Sequence, residues 1–136
     1  MRINTNKIIY KKLSYKIIGV LFEVYNELGN GYQEKIIEKA VAIKFNKDNI
    51  SYKRQLKVDL KIEDKKIAEQ YLDFLVEDKI ILELKVCNRF YTRHVRQVLG
   101  YLNSYNKKLG IVALFTSTGV RYKRVINAKK EIRINS

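Results

Sequence analysis

Apolar residues recur at helical spacing near the start of the chain, with Ile17, Ile18, Leu21, Val24, Tyr25 and Leu28 on one face. Ser14 suits the N-cap, so the pattern predicts a first helix from Ser14 to about Leu28. Gly29-Asn30-Gly31 supplies the backbone freedom that ends it. A second helix is predicted from Tyr32 to Asn46, burying Ile36, Ile37, Ala40, Val41 and Phe45. The period then changes to two. Leu56, Val58, Leu60 and Ile62 alternate with Lys57, Asp59 and Lys61, which predicts a half-buried strand. Glu63-Asp64-Lys65 is a polar turn, Ile67 to Val76 a second strand, Glu77-Asp78-Lys79 another turn, and Ile80 to Val86 a third strand. Such short turns imply an antiparallel meander. A third helix is predicted from Thr92, as N-cap, to Tyr105, burying Val95, Val98, Leu99 and Leu102. Leu109 to Phe115 is a strongly apolar strand, and the helix before it is long enough to let it run parallel to an earlier strand. Val120 to Ile126 adds a last short strand. The order α-α-β-β-β-α-β-(β) predicts the α/β class: a sandwich around a central mixed sheet.

No linker, repeat or low-complexity tract divides the chain, and proline is absent. Its 136 residues match one ordinary domain, large enough to bury a core without staples. We divide it into a flexible basic arm (1–12), one domain (13–127) and a basic tail (128–136). The longest apolar run, Ile111 to Phe115, is far short of a membrane span, and MRINTNK has no apolar signal region. A cytoplasmic location with no membrane association is the expectation. Cys87 is the only cysteine and His94 the only histidine, which excludes an internal disulfide and a cysteine-based zinc site.

Charge sharpens this picture. The net charge is +14, and it is unevenly spread. Residues 87–136 hold 11 basic and 1 acidic side chains, whereas residues 51–86 hold 8 of each. A basic last third beside an acidic middle suits a protein that grips a polyanion and also holds a cation.

The acidic middle carries the candidate chemistry. Asp73 interrupts the apolar run YLDFLV, and Glu83 and Lys85 interrupt the next strand from one face. Pairing across the Glu77–Lys79 turn sets Asp73 opposite Glu83. Two carboxylates facing each other destabilise a sheet unless a cation lies between them. A divalent metal resolves the conflict, with Lys85 nearby. Oxygen ligands favour Mg²⁺, with Mn²⁺ as the substitute.

The spacing D-x9-E-x-K across a hairpin, with Gln97 on the following helix, resembles the PD-(D/E)XK nuclease superfamily. Within it, Gly31-Tyr32-Gln33-Glu34 is similar to the motif of the GxxExxY proteins, although Ile37 stands where their tyrosine falls. The stretch HVRQVLGYL from His94 to Leu102 is similar to the superfamily's H-x-x-Q-x-x-x-Y-L pattern. The resemblance implies a restriction-endonuclease-like fold over about residues 14–126. It implies Asp73 and Glu83 as metal ligands, Lys85 as the catalytic lysine, and Glu34 and Gln97 as further members of the site. Arg93 and Arg96, at helical spacing with Gln97 and Gly100, are candidates for holding the strand being cut. Arg121, Lys123 and Arg124, followed by Lys129, Lys130 and Arg133, are candidates for tracking the nucleic-acid backbone. His94 is the kind of lone histidine more often found in a structural role, and Tyr25 and Tyr101 are expected in or near the core.

The function expected is a Mg²⁺-dependent nuclease acting on DNA rather than RNA. So small a domain favours structure-selective cleavage, with a homodimer as one arrangement. The alternatives are a nucleic-acid-binding module of the same fold that cuts weakly or not at all, and an adaptor docking an acidic protein.

Overall fold

The computed structural model describes residues 8–128, so the far ends of the predicted arm and tail, including Lys129, Lys130 and Arg133, lie outside the described residues. The elements are α1 (Lys11–Leu28), α2 (Glu34–Lys47), β1 (Tyr52–Ile62), β2 (Lys65–Val76), β3 (Ile80–Lys85), α3 (Thr92–Tyr105), β4 (Leu109–Thr116) and β5 (Gly119–Ile126). The five strands lie side by side in chain order. β3 and β4 run parallel, joined by α3, and every other neighbouring pair is antiparallel. This is the mixed sheet expected from the sequence, and the order of elements matches.

Helices cover both faces. The α1 and α2 side buries Ile17, Leu21, Val41 and Phe45 against Phe74, Leu82, Leu84 and Ile111. The α3 side buries Val98, Tyr101 and Leu102 against Leu72, Ile81, Val112 and Leu114. β4 is therefore covered twice, which explains why all eight of its residues are buried and its sequence is continuously apolar. Gly110 is needed there for space: a Cβ would stand 2.4 Å from Val98 Cγ1.

Several local expectations change. α1 begins at Lys11, after Tyr10 in left-handed conformation, so it starts inside the predicted arm. Ser14 is not a cap. It is buried within the helix, where its Oγ accepts a hydrogen bond from Arg124. Thr92 likewise opens α3 without capping it, and Tyr91 holds the N-cap position. Ile36 is exposed, because the buried stripe of α2 passes through Ile37, Glu38, Val41, Ala42 and Phe45. On α3 the stripe includes His94 and Tyr101. The outer end of the β1–β2 hairpin projects past the core, leaving Leu60 and Ile62 exposed despite their alternating pattern. Its two turn residues, Glu63 and Asp64, both adopt positive φ, as a two-residue hairpin turn demands.

One irregularity shapes the site. Gln55 has φ 52° and is skipped between the pairs Arg54↔Phe74 and Leu56↔Leu72. On the partner strand, Phe74 faces the α1/α2 core while Leu72 faces the α3 core, although two residues apart should share a face. The hairpin therefore bends at Gln55 and Asp73. A bend of this kind re-aims a side chain.

Candidate active site

β2 and β3 pair through Val76↔Ile80, Leu75↔Ile81 and Phe74↔Leu82, and there the backbone register stops. One step further, Asp73 and Glu83 close the gap with their side chains. The Asp73 N–H donates to Glu83 Oε1 (3.0 Å), and the Leu84 N–H donates to Asp73 Oδ2 (2.8 Å). Each carboxylate thus satisfies an amide of the opposite strand. Glu83 is 4% exposed, and Lys85 Nζ lies 3.6 Å from its Oε2.

Two carboxylates so placed resist ionising together. Burial pushes Asp73 up to about 6, opposed by its bond from the Leu84 amide and reinforced by Glu38 and Glu34. Burial and then the charge of Asp73 push Glu83 up to about 8. Both folded-state values lie above those of the unfolded chain, so the folded protein binds protons more tightly. Their contribution to stability is complete below about pH 4 and is lost as pH rises to about 8. Metal-free protein should accordingly lose melting temperature between pH 5 and pH 8, and Glu83→Gln should flatten that slope. A wild-type melting temperature that rises across this window would contradict the charge conflict.

A second layer of polar groups surrounds Asp73. Gln55 Nε2 donates to both Glu38 oxygens (3.0 Å each) and to Asp73 Oδ1 (3.3 Å). Glu38, buried at 6% exposure, also accepts from Arg54 Nε and pairs with its Nη2, both at 3.0 Å. The bend places Gln55 between two carboxylates and lets one amide bond both.

Beside this pair opens a cleft of about 630 Å³. Its walls bring together Glu34 from α2, Lys85 from β3, and Arg93, Arg96 and Gln97 from α3. Asp73 and Glu83 are not on those walls, and Lys85, which touches both cleft and Glu83, connects them. His94 also lines the cleft, with its ring edge-on to Tyr91 at 5.3 Å and a buried Nδ1 that has no hydrogen-bond partner among the described residues. Burial, then Lys85 and Arg93, hold its imidazole below its ordinary value, favouring the neutral ring.

Other candidates lie elsewhere. Arg121 and Lys123 stand on β5 over the ring of Phe90, at 5.3 and 4.8 Å from its centroid. Arg124 points to the opposite face, where it donates to Ser14 Oγ (2.6 Å) and Ile9 O (2.8 Å). Its guanidinium is already committed to the α1 side, which separates it from the cleft. Sequence reasoning missed Gln55, Glu38, Arg54 and the loop pair Phe90 and Tyr91. Glu38 carried a signal, as a carboxylate three residues before Val41 and seven before Phe45. Gln55 carried none, because no glycine or asparagine marks its positive φ.

The donor set can be judged for a metal. Among the described residues, no group of three or more His, Cys, Asp or Glu side chains is gathered closely enough to hold an ion by itself. Buried Glu83 and half-buried Asp73, both of raised proton affinity, with Lys85 alongside are a hard-oxygen pair short of positive charge. That suits Mg²⁺, which commonly takes one or two carboxylates and completes its shell with water and substrate phosphate.

The model of the PD-(D/E)XK nuclease superfamily matches residues 11–125, nearly the whole described chain. The chain belongs to that superfamily. Solved structures agree on the fold of this superfamily member. The crystal structure of SSO0001 is 12% identical with a TM-score of 0.53, covering 93% of this chain and 69% of that one. An alkaline exonuclease from Laribacter hongkongensis is 11% identical with a TM-score of 0.51, covering 95% of this chain and 78% of its own. No curated protein matches. The PD-(D/E)XK assignment supports a nuclease, a class that generally uses divalent metals. No helix among the described residues is long and apolar enough to cross a membrane.

Proposed function

We propose that this superfamily member is a Mg²⁺-dependent phosphodiesterase acting on DNA, with Asp73, Glu83 and Lys85 at its centre. The observation that carries this reading is the facing pair Asp73 and Glu83, held by reciprocal bonds to each other's strand, with Lys85 Nζ 3.6 Å from Glu83. The two carboxylates each satisfy one backbone amide, but their mutual repulsion is left uncompensated, and a bound cation would relieve it.

Asp73, Glu83 and the Leu84 carbonyl would hold the ion. When bound, Mg²⁺ would polarise the scissile phosphate and make water a better nucleophile at neutral pH. The chain's own residues do the remaining work. Lys85, which lines the cleft with its Nζ beside Glu83, orients the attacking water and offsets charge building on the phosphate oxygens. Glu34 and Gln97 both line the cleft, where the Glu34 carboxylate accepts hydrogen bonds from water and the Gln97 amide donates them to substrate. Arg93 and Arg96 bind phosphates of the strand being cut. Gln55 orients Asp73 while Glu38 and Arg54 hold Gln55 in place.

The test is direct. Labelled duplex, branched and single-stranded DNA, and matched RNA, are incubated with Mg²⁺, Mn²⁺ or EDTA. Cleavage of DNA with either ion and none in EDTA is expected. Tight binding without cleavage of any substrate would favour the non-cutting module.

Gln55 permits a separate check. Gln55→Leu removes the donor to Asp73 and should weaken Mn²⁺ binding by about 10-fold or more, the usual scale for a group that orients a metal ligand. Paramagnetic titration of free Mn²⁺ measures it. An affinity within twofold of wild type would remove Gln55 from the site.

A further inference from the structure

The loop from β3 to α3 carries Arg89, Phe90 and Tyr91, none of which the proposed chemistry uses for cutting. The Tyr91 ring carries two guanidinium groups against it, Arg93 at 4.3 Å and Arg89 at 4.8 Å from its centroid. Its neighbour Phe90, packed against the α3-side core, takes Arg121 and Lys123 from β5. Two adjacent aromatic rings therefore gather four cations from three elements. None of the four has an ion pair among the described residues, unlike Lys107, which pairs with Asp78. No Asp or Glu occurs between residues 84 and 128, so an acidic partner has to come from elsewhere in the fold, as Asp78 does for Lys107. Cations brought together without a carboxylate repel one another, and the surface lacks only an anion.

We infer that these four cations form a second grip for the nucleic-acid backbone, carrying the substrate strand out of the cleft, across the β3–α3 loop and onto β5. This rests on the nuclease reading, because its first station, Tyr91 with Arg93, is also a wall of the cleft. A guanidinium over an aromatic ring is held in place while keeping N–H groups for phosphate. Its side chain has already lost much of the rotamer freedom that binding would otherwise remove. Arg121 and Lys123 are two residues apart on one face of β5, about 6.7 Å along the strand. They make a second station, joined to the first through the neighbouring rings of Phe90 and Tyr91. Two stations in series fit a repeating polyanion rather than a single phosphate. The consequence is a length requirement: a strand that fills only the cleft cannot use Arg121 and Lys123.

The experiment measures binding alone, in EDTA, by anisotropy of labelled single-stranded DNA from about 4 to about 16 nucleotides. Wild-type affinity should climb with length. In the double variant Arg121→Ala/Lys123→Ala, the loss for the longest strand should exceed that for the shortest by at least ~10-fold, with the salt slope lowered by about 0.7 per lost contact. Both side chains are exposed, so the variant should keep its melting temperature. Equal losses at every length, or no loss, would overturn the grip, as would wild-type protein that binds DNA at no length. Length-dependent binding by a wild type that cuts nothing with Mg²⁺ would uphold the grip and remove the enzyme reading.

Discussion

Lys85→Ala is expected to cut DNA at least ~10²-fold more slowly than the unsubstituted protein, the scale of losing a positioned proton-transfer or charge-stabilising group. It should still bind Mn²⁺ and DNA. Lys85 is 3.6 Å from Glu83 Oε2 and lines the cleft, a position from which, in the proposed mechanism, its ammonium would serve both the carboxylate pair and the substrate. Removing it leaves Asp73 and Glu83 in place with their backbone hydrogen bonds. Arg93→Ala should show the opposite balance, raising KM more than it lowers kcat, since Arg93 stands on the cleft wall over Tyr91. Single-turnover rates at saturating enzyme separate the two. Equal rates for Lys85→Ala and wild type on duplex, branched and single-stranded DNA would end the enzyme reading.

Asp73→Asn should change the protein in two opposite ways. Without metal it should melt higher than wild type at pH 8, because it removes one of two facing charges while an amide oxygen can still accept from the Leu84 N–H. With metal it should lose the stabilisation that wild type gains. At ten times the dissociation constant, an ion bound only by the folded state adds about 1.4 kcal/mol, a rise of about 5 °C in a domain of this size. The wild-type shift should grow with pH, since the ion must displace protons from Asp73 and Glu83. Thermal unfolding with EDTA, Mg²⁺ and Mn²⁺ at pH 5.5 and pH 8 measures both effects. A variant that melts lower than wild type in EDTA, with an unchanged metal response, would show the pair to be a hydrogen-bonding device and not a metal site.

The facing carboxylates illustrate what was legible beforehand. An antiparallel pair across a short turn has a register set by arithmetic, so Asp73 fell opposite Glu83 before any packing was known. The observed pairs Phe74↔Leu82 and Val76↔Ile80 continue to that point. Helical and strand periods are equally local, and they located all eight elements, including the parallel β4, whose doubly covered burial shows as an unbroken apolar run. Boundaries were less secure. Ser14 has the right chemistry for a cap, yet it became a buried partner of Arg124, 110 positions away.

Sequence by itself therefore determined the elements, their order and the central acidic pair with Lys85, because each follows from spacing within a few residues or across one turn. Tertiary structure alone decided which cations remain available. Arg121, Lys123 and Arg124 look alike in the chain, but strand alternation and the seat of α1 turn Arg124 inward and leave the other two over Phe90. It also decided the surroundings of Asp73. Gln55 reaches both Glu38 and Asp73 only because the hairpin bends there and α2 packs against it. Such contacts join residues far apart in sequence, and their geometry is set by how helices settle on a twisted sheet, which no local period encodes.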